Sequence, residues 1–272
     1  MKEFLIIPNG EKDPGYEMTK KIQAYLKEKG ATARVFAEEG KVTPDIAGAA
    51  EAILVLGGDG TMLRAARATR SLDIPLLGIN MGTLGYLAEI EKSQVEYALD
   101  MLVSDNFTTE ARLMLRGESG GKIYHALNDV AIVRRGSMQM VSFQITVNGQ
   151  ILTTYYADGV LIASPTGSTG YNLSAGGPIV EPSAEILLLT PICPHSMHAR
   201  SILLSKDDVI QVKILEGRRD RTSEAEACFD GADRVILGVG DEIEIRRSHR
   251  TTDIIKLSKK SFLEVLHKKL NQ

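Results

Sequence analysis

Residues Ala52 to Leu56 (AILVL) form an unbroken apolar run that stops abruptly at Gly57, Gly58, Asp59 and Gly60. A strand wetted on one face alternates apolar with polar residues, whereas an unbroken run suits a strand covered on both faces, as in a parallel sheet between layers of helices. The flanking sequence agrees with that reading. Phe4 to Ile7 is a second apolar run, and Met18, Ile22, Tyr25 and Leu26 then recur at helical spacing within Pro14 to Gly30, with Gly30 as the stop. Ala33 to Phe36 reads as a short strand and Thr61 to Arg70, rich in Ala, Leu, Met and Arg, as a helix. Pro75 to Ile79 is the next strand, before a turn near Gly82. Strands alternating with helices predict an α/β domain with a parallel sheet.

The pattern changes after about residue 105. Short β-rich runs follow, at Asn128 to Val133, Val141 to Val147, Val160 to Ala163 and Val209 to Ile214, several of them alternating polar with apolar residues. Glu242 to Ile245 and Thr252 to Leu257 continue the series, and Lys260 to Leu270 reads as an amphipathic helix carrying Phe262, Leu263, Leu266 and Leu270. At 272 residues the chain has room for two such domains, the change of pattern falling around Ser104 to Asn106. With 43% hydrophobic and 25% charged residues it has the composition of a globular protein and none of a disordered one.

A net charge of −3 and a pI near 6.0 supply no global attraction to nucleic acid or to an anionic membrane, so a small anionic ligand has to be bound by local groups. Cys193 and Cys228 are the only cysteines, too few for a disulfide framework or a four-cysteine zinc site. No run approaches the roughly 18 apolar residues that span a bilayer. These features lead to the expectation of a cytoplasmic protein with both thiols reduced.

Three segments carry chemistry. Gly57-Gly58-Asp59-Gly60-Thr61 stands between a buried strand and a helix, where open α/β sheets bind ligands and helix-terminal N–H groups meet phosphate oxygens. A lone carboxylate there repels phosphate unless it serves another group, so Asp59 reads as a base or metal partner, or else as the cap of a strained turn. The stretch from Asp158 to Pro178 (DGVLIASPTGSTGYNLSAGGP) packs glycines, prolines and hydroxyls that suit the oxygens of a pyrophosphate or a ribose, with Tyr171 able to stack on a ring; its plain alternative is a long β-sandwich loop. Asn128-Asp129 pairs an amide with a carboxylate, fit to read an adenine or ribose and equally fit for an Asx turn. His195 and His198 have the spacing of a metal pair but no third ligand nearby, so no zinc is expected. No P-loop, no G-x-G-x-x-G after a strand and no G-x-S-x-G elbow is present.

Together and in this order the segments resemble the NAD kinase family, over nearly the whole chain up to about Asp230. GGDGT is shared with phosphofructokinases and with diacylglycerol and sphingosine kinases. The NAD kinase resemblance is carried by Asn128-Asp129, by Thr166 to Pro178 and by Thr190 to His195 (TPICPH). It implies an α/β domain (1–104), a β-sandwich domain (105–255) and a C-terminal segment (256–272) that packs back on the first, with the active site in the cleft. It further implies transfer of the γ-phosphate of ATP, or of polyphosphate, to the 2′-hydroxyl of the adenosine ribose of NAD, with Mg²⁺ accompanying ATP.

By the same resemblance Asp59 is the general base, and Gly57, Gly58, Gly60 and Thr61 receive the phosphate donor. Asp59, Gly60, Arg64, Asn128 and Asp129 belong to the implied NAD site. So do Tyr156, Asp158, Thr166, Thr169 and Gly170, and so do Tyr171, Asn172, Ser174 and Cys193. A homodimer or homotetramer is implied as well. The chain departs from the family in having Asp at 129 where many relatives have Glu, Tyr at 156 for Arg or Lys, Gly170 within TGSTGY for TGSTAY, and no glutamine after Asp230-Gly231. A lipid kinase of the diacylglycerol type and a non-catalytic NAD-binding sensor are the alternative readings.

Overall fold

The computed structural model describes residues 1–38, 40–82, 85–88, 90–136, 139–216, 224–257 and 261–271. They form two compact units, Met1–Arg112 with Thr252–Gln272, and Leu113–Thr251. The first unit contains β1 (Glu3–Pro8), α1 (Glu17–Glu28), β2 (Thr32–Val35), α2 (Pro44–Ala47), β3 (Ala52–Gly57), α3 (Asp59–Ala68), β4 (Leu76–Asn80), β5 (Ile90–Glu91) and α4 (Val95–Val103). The chain leaves this unit within β6 (Thr108–Ser119).

Its strands are parallel in the order β2-β1-β3-β4, in register through Phe4↔Ala52 and Ile53↔Leu76, and β5 joins the end of β4 through Ile79↔Ile90. Every residue of β3 is buried, as its unbroken apolar run predicts. Phe4, Ile6, Leu54, Leu56, Leu77 and Ile79 share one core with Ile22 and Leu26 of α1 and with Leu99 and Leu102 of α4. Helix α4 was not foreseen, although Val95, Ala98, Leu99 and Leu102, its buried face, are spaced for a helix. It ends at Val103, directly before the β-rich runs begin, so its short periodicity is cut off by the change of pattern.

The second unit follows with β7 (Lys122–Ala126), β8 (Asp129–Arg134), β9 (Val141–Val147), β10 (Gln150–Ala157), β11 (Gly159–Ala163), α5 (Tyr171–Ser174), β12 (Ile186–Ile192), β13 (Ile202–Ser205), β14 (Ile210–Leu215), β15 (Ala225–Phe229), β16 (Asp233–Leu237) and most of β17 (Glu242–Lys256). One antiparallel sheet runs β10-β9-β14-β17, with β6 on β17 and β7 on β6; the other runs β13-β12-β11-β8-β15-β16. Alternate residues of both sheets, among them Phe143, Ile145, Ile162, Leu189, Val212 and Phe229, meet in one core, which makes this unit a β-sandwich. The opposite face of β11 is covered too, since Leu161 and Ala163 pack with Ala175 of the glycine-rich segment and Val180 just after it. β11 is therefore buried throughout.

Glu242 to Ile245 and Thr252 to Leu257, read from sequence as two runs, belong largely to the single strand β17. The polar stretch between them reads as a break, and the burial pattern does slip there by one residue: Ile243 and Ile245 are buried before it, and Ser248, Thr252 and Ile254 in the other phase after it, while the strand itself continues. The strand re-enters the first unit at Thr252 and pairs parallel with β4 through Ile254↔Leu76. Helix α6 (Phe262–Leu270) then begins with a capping box between Ser261 and Glu264. Lys260, the foreseen start of this helix, lies outside the described residues. Phe262 approaches the Tyr86 ring at 6.5 Å and Lys269 Nζ stands 5.3 Å from the centre of the same ring.

Candidate active site

In the first unit the GGDGT segment makes the turn from β3 into α3. Gly58 is the N-cap in extended conformation, and its carbonyl accepts from Thr61 N and Met62 N at 2.9 and 3.0 Å. Gly57 has to lack a side chain, because a Cβ there would lie 2.1 Å from Thr61 Oγ1. Thr61 is accordingly buried, its hydroxyl accepting from Asn9 Nδ2 at 3.2 Å. That hydroxyl fixes the turn from beneath, while Gly60 is exposed. Arg64 donates from Nη2 to Pro8 O at 3.1 Å, and its buried Nε has no partner.

Asp59, half-buried, is held by a second loop. Its Oδ2 accepts from Tyr86 N at 2.8 Å and its Oδ1 from Leu87 N at 3.0 Å. The loop comes this near because residue 85 is glycine: a Cβ there would stand 2.0 Å from Asp59 Oδ1. One N–H on each oxygen fixes the plane of the carboxylate and leaves each oxygen further acceptor capacity.

In the second unit Asn128, Asp129 and the glycine-rich segment come together. Ser164 N donates to Asn128 O at 2.8 Å and Ser164 Oγ to Leu127 O at 2.5 Å. Gly167 lies so close that a Cβ would be 2.1 Å from Asn128 O. Thr166, Thr169 and Gly170 follow in a 3-10 turn with its C-cap, and Tyr171 and Ser174 are exposed at the ends of α5. Asn128 Oδ1 and Thr166 Oγ1 are buried without a hydrogen-bond partner. Unpartnered polar atoms are costly in a folded interior and suit a surface waiting for a polar ligand.

Asn172 is different. It is fully buried, donating to Ser168 O at 3.2 Å and to Pro178 O at 3.0 Å and accepting from Thr190 Oγ1 at 2.7 Å. Its amide is used up inside the protein, where it closes the glycine-rich loop together with Ser168, whose hydroxyl pairs with both N and O of Val180 at 3.0 Å. Asp158 is paired with Arg134 at 2.7 Å. Cys193 follows β12 with a left-handed φ of 46°, and beyond it His195 N donates to Tyr156 O at 2.8 Å. Tyr156, His195, His198 and Arg200 border a groove of about 480 Å³. Among the described residues no group of three or more His, Cys, Asp or Glu is placed to hold a metal.

In the sequence Asp230 stands out only for the glutamine missing after Asp230-Gly231; in the fold it has a larger part. With φ at 48°, it turns its carboxylate to accept from Leu127 N at 2.7 Å, Asn128 N at 2.8 Å and Asp129 N at 3.1 Å. The Asp-Gly pair at a tight turn was the available signal; the partner was not.

Asp129 is buried, and this burial, with Asp230 as the second cause, pushes its carboxyl up from 3.8 to about 7. The neutral form is the one the fold favours. The resulting stability is therefore full below pH 4 and is lost as the pH rises through about 7. Asp129→Asn keeps the shape and removes the charge, so the free variant is expected to be about 1–3 kcal/mol more stable than the parent at pH 8. Melting curves from pH 4 to 8 check this: the difference should grow up to neutrality, and a difference independent of pH would refute it.

A glycine turn at the carboxyl end of a parallel strand, with a carboxylate fixed beside it, stands where open α/β sheets bind ligands and fits a phosphotransferase of the GGDGT class. Residues 6–107 match the ATP-NAD kinase N-terminal domain and residues 127–257 the ATP-NAD kinase C-terminal domain. A NAD kinase of Agathobacter rectalis is 44% identical over 99% of both chains, and one from Natranaerobius thermophilus is 40% identical over 99% of this chain and 98% of its own. Among solved structures, yeast NADH kinase complexed with NADH superposes with a TM-score of 0.86 at 25% identity, covering 100% of this chain and 88% of that one. An Archaeoglobus fulgidus NAD kinase in complex with ATP gives 0.82 at 25% identity, covering 99% of each. The chain belongs to the NAD kinase family.

Proposed function

We propose that the protein transfers the γ-phosphate of ATP to the 2′-hydroxyl of the adenosine ribose of NAD⁺, forming NADP⁺, with Asp59 as the general base. The observation that carries this reading is the carboxylate of Asp59, oriented by the N–H groups of Tyr86 and Leu87 at the mouth of the glycine turn. Phosphoryl transfer asks a protein for alignment, charge neutralisation and removal of one proton. Asp59 takes the proton of the attacking hydroxyl, Gly58 and Gly60 let the donor phosphates approach backbone N–H groups, and Asn128, Asp129 and Thr166 read the polar edges of the dinucleotide.

Mg²⁺ entering with ATP would be held mainly by phosphate oxygens and water, as this cation usually is, which would leave the Asp59 carboxylate available to take the proton. When bound, the metal neutralises phosphate charge. Mg²⁺ as that metal, assembly as a homodimer or homotetramer and a cytoplasmic setting are parts of the same proposal. Among the described residues no helix is long and apolar enough to cross a membrane. The reading is tested by incubating the purified protein with NAD⁺ and MgATP and assaying NADP⁺ with a dehydrogenase specific for that cofactor. NADP⁺ formation supports it; no NADP⁺ with either ATP or polyphosphate as donor overturns it.

A further inference from the structure

The GGDG turn brings one negative charge, Asp59, to the place read as the donor-phosphate site; of the two cations in its helix, Arg64 is spent in part on Pro8 O and Arg67 stands in the last turn, away from the GGDG end. A positive group has to come from elsewhere. Lys12, in the loop after β1, supplies one. Its Nζ lies over the turn, 3.1 Å from where a Cβ of Gly58 would be and 3.8 Å from that of Gly82. Gly82 also lines a cavity of about 570 Å³ with Asn80, Met81, Glu91, Lys92 and Ser93. Among the described residues no carboxylate lies within ion-pair distance of Lys12 Nζ.

The loop is held rather than loose. Lys12 N and Asp13 N donate to Asn9 O at 3.0 and 2.8 Å, and Asn9 in turn donates its N–H to Leu56 O at 2.9 Å and its Nδ2 to Thr61 Oγ1. Asp13, buried, accepts from Met18 N, Thr19 N and Thr19 Oγ1. Asn9 thus braces the lysine loop against both the strand before GGDGT and the threonine within it. The two residues under the ammonium are glycines, which leaves the space between Nζ and the turn free of side chains.

We propose that Lys12 contacts the phosphates of the donor over Gly58 and offsets the charge that builds up on them during transfer. This rests on the reading of the GGDG turn as the donor-phosphate site. Lysine at such a position acts as a point charge, so a second cation of similar reach substitutes for it in part.

The test compares Lys12→Met and Lys12→Arg with the parent protein, using as a control Lys92→Met, at a cation that lines the cavity beside Gly82. Two readouts are taken: kcat/KM for MgATP at saturating NAD⁺, and calorimetric binding of inorganic tripolyphosphate. Lys12→Met is expected to lower kcat/KM for ATP by about 10- to 100-fold, with the KM for NAD⁺ and the melting temperature unchanged. It should also weaken tripolyphosphate binding about tenfold or more, as loss of a charge-assisted contact does. Lys12→Arg should recover most of both, and Lys92→Met should change either by less than about threefold. Tripolyphosphate binding equal to the parent's, or a rise in KM for NAD⁺ in place of ATP, overturns the proposal. If the parent forms no NADP⁺ while Lys12→Met still loses tripolyphosphate, the phosphate contact stands and the kinase reading falls.

Discussion

Asp59→Asn is expected to lower kcat for NADP⁺ formation by about 10²- to 10⁴-fold, the usual worth of a general base. The structure makes this substitution less innocent than its shape suggests. Both carboxylate oxygens accept backbone N–H groups, from Tyr86 and Leu87. An asparagine offers one acceptor, so whichever way its amide turns, an NH₂ faces one of these donors. A buried donor left without an acceptor costs about 1–3 kcal/mol, and here that cost falls on the 85–88 loop. Two measurements separate the effects: NADH binding followed by its fluorescence, and the melting temperature. A fall in kcat with NADH affinity within a few-fold of the parent marks loss of the base. A variant that turns over at near the parent's rate would remove Asp59 from the chemistry and leave it a structural tie.

Asp230→Ala is expected to reduce stability by about 3 kcal/mol and to abolish measurable NADH binding, because three N–H groups lose their acceptor together. Leu127, Asn128 and Asp129 owe their turn to that carboxylate, and Asn128 O in turn accepts from Ser164 N. The damage should therefore spread to the glycine-rich segment, while the first unit is left intact. Asp230→Asn retains one acceptor oxygen and should fall between the two. Denaturant titration beside NADH titration provides the check; a well-folded Asp230→Ala that binds NADH as the parent does would show that the turn is held by other means. Asp230→Asn, which keeps an acceptor for the turn, takes away the lesser of the two causes that raise the Asp129 carboxyl, so a rise should persist in that variant through burial.

The local features of both units were open to reading from residue order. β3 follows from an unbroken apolar run, α1 from helical spacing closed by a glycine, and the β-rich second half from alternation. Burial periodicity is a property of neighbouring residues, so it survives in a one-dimensional string. The single strand β17 was split because a polar run looks like a turn when its partners are unseen. Gly57, Gly85 and Gly167 make the same point from the other side. Glycine was visible, but each is needed for a contact with a side chain or backbone brought near by the fold: Thr61, Asp59 and Asn128.

Residue order alone settled the fold class and the family resemblance and singled out the candidate segments, since each rests on residue types at short spacing. Which atoms of those segments remain available was decided by tertiary structure. Thr61 and Asn172 belong to the motifs, yet their polar groups are engaged within the protein, while Asn128 Oδ1 and Thr166 Oγ1 are left without partners. Asp59 is oriented by a loop beyond β4, the Asn128 turn by a carboxylate at the far end of its unit, and the glycine turn receives an ammonium from the loop after β1. The physical reason is common to all of them: hydrogen bonds and charge contacts act over a few ångströms of space, and segments far apart in the chain come that close only once the sheets have formed.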